Sequence, residues 1–179
     1  MKFWSVREKL LGIPCRGIIG NLFNTISFKK YMQYIIWYYR KLGVNISVPV
    51  TYIHPSVYFD SHKYSLISIG NNVTISRNVT LLVHDYSIAN VLAHAGYTGY
   101  DGVPHFEKEI QIGKDSFIGA NAILLPGTRI GSNCIVGAGA VVKGKFPDDS
   151  IIVGNPAKVI SNTDEWAKRK WKQKDWGTQ

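Results

Sequence analysis

The sequence predicts an all-β solenoid, a parallel β-helix, carrying short helical appendages at both ends and one long excursion loop. Three observations predict it. Ile112, Ile118, Leu124, Ile130, Val136 and Val142 recur every six residues, a period that fits neither a helix near 3.6 nor a strand alternating every two. Four residues after each of the first five comes a small side chain or a thiol, at Ser116, Ala122, Thr128, Cys134 and Ala140. Upstream, Ile69, Ile75 and Leu81 repeat the spacing, with Val73 and Val79 at the fifth position of the units that Ile69 and Ile75 open. Short fixed periods mark solenoids, in which each strand buries one branched aliphatic residue and the tight turns admit only small neighbours.

The chain divides into three parts by composition. Residues 1–43 hold eight lysines or arginines and one glutamate, residues 44–160 hold eight of each sign, and residues 161–179 hold five basic and three acidic residues. The formal net charge of +9 therefore belongs to the ends. In the first part, Ser27 is placed to cap a helix bearing Tyr31, Tyr34, Ile35 and Tyr38 at helical spacing, and Gly43 to stop it. Its flanks carry Lys29, Lys30, Arg40 and Lys41, and the tail sets Trp166, Trp171 and Trp176 among lysines. Such basic, aromatic ends suit an anionic membrane surface. They equally suit packing on the open end of a β-helix, which every solenoid must cover.

In the middle part, Ile53 and Val57 begin the coils, and the phase slips between His62 and Leu66. It is lost again between Leu81 and Ile112, which lie 31 residues apart, not a multiple of six. The inserted stretch, 86–109, is rich in glycine, tyrosine and histidine and shows no period, which predicts an irregular loop. Long loops on a compact repeat scaffold usually carry function. Two cysteines, Cys15 and Cys134, are too few for a disulfide framework or a zinc ribbon, so a reducing, cytoplasmic setting is expected. No secretory leader is expected, no run approaches the ~18 apolar residues of a spanning helix, and no nucleic-acid-binding motif is present.

The units IGNNVT, ISRNVT, IGKDSF, IGANAI, LLPGTR, IGSNCI and VGAGAV, closed by the tract Asn155-Pro156-Ala157-Lys158, resemble the hexapeptide-repeat acyltransferases over about residues 44–160. Leu82-Val83-His84-Asp85, a loop, and IQIGKDSFIGANAILLPGTRIG are similar to the sugar O-acetyltransferase branch, with its galactoside and maltose enzymes. The resemblance implies a left-handed β-helix, a homotrimer with active sites shared between neighbours, acetyl-coenzyme A as donor, and a sugar or glycan precursor as acceptor.

His84 is the expected catalytic residue. It lies in the last coil before the loop, where a side chain can leave the packed column, and imidazole suits the removal of a proton from an attacking hydroxyl. The family's catalytic histidine falls at the matching position. Nothing in the sequence identifies the group that orients it. Asp85, Tyr86, His94 and His105 are expected at the acceptor. A zinc reading of His84, His94 and His105 fails because two of the three sit on the irregular loop, where rigid ligation is not provided.

For the donor, the small residues Gly119, Ala120, Gly137 and Ala138 are expected to let the pantetheine arm lie against main-chain groups. The resemblance implies that Asn155, Pro156 and Lys158 lie at its nucleotide end. Phe117 stands where the galactoside and maltose enzymes usually have tryptophan. Direct O-acetylation in a ternary complex is the expected reaction, with N-acetylation of an amino sugar, or a non-catalytic scaffold in glycan synthesis, as the alternatives.

Overall fold

The computed structural model describes residues 27–60, 63–174, 176 and 177. Helix α1 (Phe28–Leu42) begins at Ser27, whose hydroxyl accepts from the Lys30 amide, and ends at Gly43 in the left-handed region. Three short strands then complete each turn of a three-sided β-helix. The first coil is β1 (Asn45–Ile46), β2 (Tyr52–Ile53) and β3 (Tyr58–Phe59); the second is β4 (Ile67–Ile69), β5 (Thr74–Ile75) and β6 (Thr80–Leu81). A 3₁₀ turn at Tyr64–Leu66 lies between them and accounts for part of the phase slip.

After the second coil the chain departs through β7 (His84–Asp85), α2 (Ser87–His94) and β8 (Phe106–Glu107). It resumes with β9 (Ile110–Ile112), β10 (Phe117–Ile118) and β11 (Ile123–Leu124), then β12 (Arg129–Ile130), β13 (Ile135–Val136) and β14 (Val141–Val142), then β15 (Lys145–Phe146) and β16 (Ser150–Gly154). Strand β17 (Ala157–Asn162) turns back antiparallel on β16 and leads into α3 (Thr163–Gln173). The coil strands pair in parallel to form three faces: β1-β4-β9-β12-β15, β2-β5-β10-β13-β16 and β3-β6-β11-β14.

The repeat explains itself in this frame. All six aliphatic residues from Ile112 to Val142 are buried in the central column, as are Ser116, Ala122, Thr128, Cys134 and Ala140. Burial pushes the Cys134 thiol up from its ordinary value, so it serves as a small filler and not as a nucleophile. The turns put Asn72, Asn78, Asp115, Asn121 and Asn133 at positive φ, the region that asparagine and aspartate tolerate best among residues with a side chain. Glycine follows the aliphatic residue where successive coils touch. A Cβ on Gly113 would lie 2.3 Å from the Gly131 carbonyl oxygen, and one on Gly119 2.6 Å from the Ala138 amide nitrogen. Backbone cannot yield there as a flexible side chain would. Gly113→Ala is therefore expected to cost about 2–3 kcal/mol, seen as a drop in Tm of roughly 4–12 °C; an unchanged Tm would refute this account of the glycine column.

Helix α1 caps the first coil and does not lie free at the surface. Tyr31, Met32, Ile35, Tyr38 and Tyr39 are buried, and Tyr39 stacks on Phe59 with centroids 3.8 Å apart. The open edge of that coil presents carbonyls without a coil beneath them. Tyr31 Oη donates to the Ile53 carbonyl at 2.8 Å, and Arg40 Nε donates to the Ile46 carbonyl at 2.8 Å. One of the helix's cations is thus committed to the edge, and the aromatic stripe to the core. The part of the N-terminal segment before Ser27 lies outside the described residues. Among those described, no helix is long and apolar enough to cross a membrane.

Candidate functional site

The corner between the third face and the first is where the excursion leaves, and His84 stands at its root. One coil below, Phe59 pairs in register with Leu81, so the next residue, Asp60, sits beneath the exit point. Asp60 is only 1% exposed. Its Oδ2 accepts from the Val83 amide at 3.0 Å and the His84 amide at 3.3 Å, and meets His84 Nδ1 at 2.5 Å. A carboxylate in such a donor set is an acceptor, so Nδ1 carries the hydrogen and Nε2 is the basic nitrogen of the neutral ring. The His84 side chain remains 26% exposed. The pair is thus an imidazole fixed in tautomer and orientation, with its basic nitrogen on the side away from the carboxylate.

The rest of the corner comes from the excursion, which is more regular than an irregular loop. Its departing and returning segments form a two-stranded antiparallel ribbon pairing His84 with Glu107 and Asp85 with Phe106, which sets His84 and Glu107 on one face. Ile88, Val91 and Leu92, at i, i+3 and i+4, mark the helix α2 between them. The Tyr86 ring meets His84 edge-on at 5.2 Å and His105 at 4.8 Å between centroids. Glu107 Oε1 accepts from Lys63 Nζ at 2.6 Å, and its Oε2 lies 3.8 Å from His105 Nε2. His105 Nδ1 donates to the Val103 carbonyl at 3.0 Å.

Of the residues expected at the acceptor, Tyr86 and His105 are brought to His84. His94 is not: it ends α2, exposed. Asp85 has a structural task, since its Oδ1 accepts from the Ser87 amide at 2.8 Å at the start of α2. That bond, more than the Ser87 hydroxyl or the nearby Lys143 charge, holds its carboxyl below the usual carboxylate range. Asp60, Glu107 and Lys63 are the residues that the sequence reading missed. Stacking Phe59 on Leu81 would have revealed Asp60, a charge in a column of apolar and small residues, but the slip at His62 hid the register.

The expected donor residues gather elsewhere. Gly119, Ala120, Gly137 and Ala138 form the corner between the second and third faces, one coil apart. Some main-chain groups of this corner are already committed to the coil ladder. The Gly119 and Gly137 amides already donate at 2.8 Å to the Val136 and Ile152 carbonyls of the next coil, and the Ala120 carbonyl accepts from Gly139 at 2.9 Å. Phe117 projects outward from β10, 44% exposed. Asn155 and Pro156 form the exposed tip of the β16–β17 hairpin, and Lys158 is exposed on its return strand.

A β-helix that holds an oriented, partly exposed imidazole beside an excursion of its own coil is the framework of a transferase built on hexapeptide repeats. The family model described as bacterial transferase hexapeptide (six repeats) matches residues 109–144. A Bacillus subtilis protein, YvoF, named by inference as an acetyltransferase, is 30% identical over 174 residues, covering 93% of this chain and 88% of its own length. Galactoside O-acetyltransferase of Escherichia coli is 33% identical over 94 residues, covering 52% of this chain and 43% of that protein. The solved structure of a galactoside acetyltransferase in complex with coenzyme A superposes with a TM-score of 0.54 at 23% identity, over 93% of this chain and 88% of the other. The chain belongs to the hexapeptide-repeat acetyltransferases, and its fold is their left-handed parallel β-helix. It is an acyltransferase, so the scaffold alternative falls.

Proposed function

We propose that this protein transfers an acetyl group from acetyl-coenzyme A to a hydroxyl of a sugar or glycan precursor, with His84 as general base. The short Asp60–His84 contact carries the reading. His84 Nε2 takes the hydroxyl proton as the acceptor oxygen forms its bond to the thioester carbonyl carbon. The carbon–sulfur bond then breaks, and the same proton passes to the departing thiolate. Asp60 holds the ring and stabilises the imidazolium between these steps.

Tyr86 and His105 form an aromatic wall beside His84 on which the apolar face of a sugar can rest, while the tyrosine hydroxyl and Glu107 offer polar partners. O-acetylation is preferred to N-acetylation because the galactoside relative is named for it. For the donor, the amides of Ala120 and Ala138, which have no hydrogen-bond partner among the described residues, are the main-chain donors that the coil ladder leaves over. Lys158 is assigned to a phosphate and Phe117 to the wall of the donor site.

These donor residues and His84 lie at two different corners, separated by the third face, about 15–20 Å at the rise of an extended strand. A neighbouring copy would bring the two corners together. The outward side chains agree. Those of the first face are Asn45, Ser68, Gln111, Arg129 and Lys145, whereas the second and third present Tyr52, Thr74, Phe117 and Ile135, and Tyr58, Thr80, Ile123 and Val141, mostly apolar. Apolar outer faces on a solenoid call for a partner, and we assign them to a homotrimer. Incubation with acetyl-coenzyme A and a panel of sugars and glycan fragments, read by mass spectrometry, is expected to show the gain of one acetyl group. Light scattering is expected to show three copies. A monomer that still transfers acetyl groups would defeat the shared site, and transfer confined to amines would replace O- by N-acetylation.

A further inference from the structure

Helix α3 buries only its first residue, Thr163, and yet it is firmly placed. Its root is fixed to the last coil: the Thr163 amide donates to the Asp149 carbonyl at 2.8 Å, and Asn133 Nδ2 donates to Thr163 Oγ1 at 3.1 Å. Asn162 Oδ1 caps the first turn by accepting from the Asp164 amide at 2.8 Å. Beyond Thr163 every residue of the helix is exposed except the half-buried Lys170. A surface helix ordinarily turns one apolar stripe to the core. Here the large apolar groups face outward instead.

These groups are tryptophans, and they are gathered. Lys174 adopts a left-handed conformation at φ 49° and its amide donates to the Lys170 carbonyl at 3.0 Å, which turns the chain back after the helix. That reversal stacks Trp176 on Trp171, with centroids 5.7 Å apart and planes 25° from parallel. The two indoles remain 50% and 67% exposed, and Trp166, Ala167 and Lys170 line the same groove. Val159 and Ile160, on the strand leading to the helix, are exposed too. Lys168, Arg169, Lys170, Lys172 and Lys174 lie among the aromatic groups, while of the tail's three acidic residues Asp164 and Glu165 are confined to the first turn, where they complement the helix dipole, and Asp175 lies outside the described residues.

We propose that this C-terminal helix docks the enzyme on an anionic lipid bilayer, with the indoles at the headgroup level and the cations over the lipid phosphates. Indole is the side chain that prefers this boundary, with an apolar body and one N–H to leave in the wet layer. Lysine and arginine supply attraction to anionic headgroups within a Debye length. Charge decides against a second copy as the occupant, because a symmetric contact would set five cations of one helix against five of the other. The proposal is independent of the acetyl-transfer chemistry, since none of these residues belongs to that site.

Flotation of the full chain with vesicles tests it. The wild type is expected to float with phosphatidylcholine vesicles containing phosphatidylglycerol, to stay behind with phosphatidylcholine alone, and to be released by raised salt. Trp171→Ala combined with Trp176→Ala, and separately Lys168→Glu combined with Lys172→Glu, are each expected to weaken partition by about ten-fold or more. Both variants should keep full transfer to a small soluble acceptor, which shows that they fold. The charge pair lies on the solvated face, so it remains informative if the double alanine variant unfolds. Absence of flotation by the wild type overturns the proposal, as does flotation that neither variant reduces. So does a change of oligomeric state in the tryptophan variant, which would give the groove to a second copy, or retention on an anionic glycan without binding to vesicles.

Discussion

Replacing His84 by alanine is expected to lower acetyl transfer by about 10²- to 10⁴-fold, the range that a general base contributes, with little change in Tm. The imidazole sits outside the buried column, so its removal leaves the coils packed as before. Asp60 keeps both of its backbone donors, the amides of Val83 and His84. The expected signature is a kcat that falls with unchanged affinity for acetyl-coenzyme A by calorimetry, because the donor residues stand at a different corner. Wild-type turnover by the folded variant would remove His84 from the mechanism and, with it, the proposed direct transfer.

The second large effect is expected at Asp60. Asp60→Asn preserves size and an oxygen that can take the place of Oδ2, which serves the two amides and His84 Nδ1 alike, and so removes the negative charge behind the ring while leaving its contacts in place. The imidazolium that forms when Nε2 takes the substrate proton then lacks its counter-charge. A fall in kcat of roughly 10²-fold is expected, in line with the loss of an orienting group behind a reacting one. KM for both substrates should hold, and the pH dependence of kcat should change shape. Asp60→Ala is a coarser test, since it also strips the acceptor from two amides that are wholly or partly buried, at about 1–3 kcal/mol. If the asparagine variant matches the wild type in kcat and pH profile, Asp60 merely braces the corner.

The two variants bear on how the site could be read. His84 was legible from its place ahead of the phase break and from the family resemblance, because the break is a property of the sequence. Its partner was not. Asp60 lies 24 positions earlier, and only the stacking of one coil on the next puts the two in contact. The excursion showed a similar division. Tyr86 and His105 were expected near the acceptor and do lie beside His84. But β7 and β8 are two residues each, too short to announce themselves by alternation, and the eight-residue α2 carries only a single i, i+3, i+4 set. His94 was assigned to the site because it was a histidine in the right stretch, and the helix carries it to its own far end.

The ends of the chain divide along the same line. Ser27 and Gly43 marked α1 correctly, since capping is a local matter of one side chain and one backbone conformation. Whether its aromatic stripe met lipid or protein depended on the open edge of the first coil, whose carbonyls Tyr31 and Arg40 satisfy. In α3 the same residue types meet no such edge, and the indoles stay outside. Sequence by itself determined the period, and hence the coil, the buried column and the tight turns, because each depends on residues that are neighbours along the chain. Tertiary structure alone decided the pairing of Asp60 with His84, the commitment of the Gly119 and Gly137 amides to the next coil, and the opposite fates of the two aromatic ends. Each of those depends on which coil lies above or below, and that stacking distance is fixed by insertions whose length the repeat does not encode.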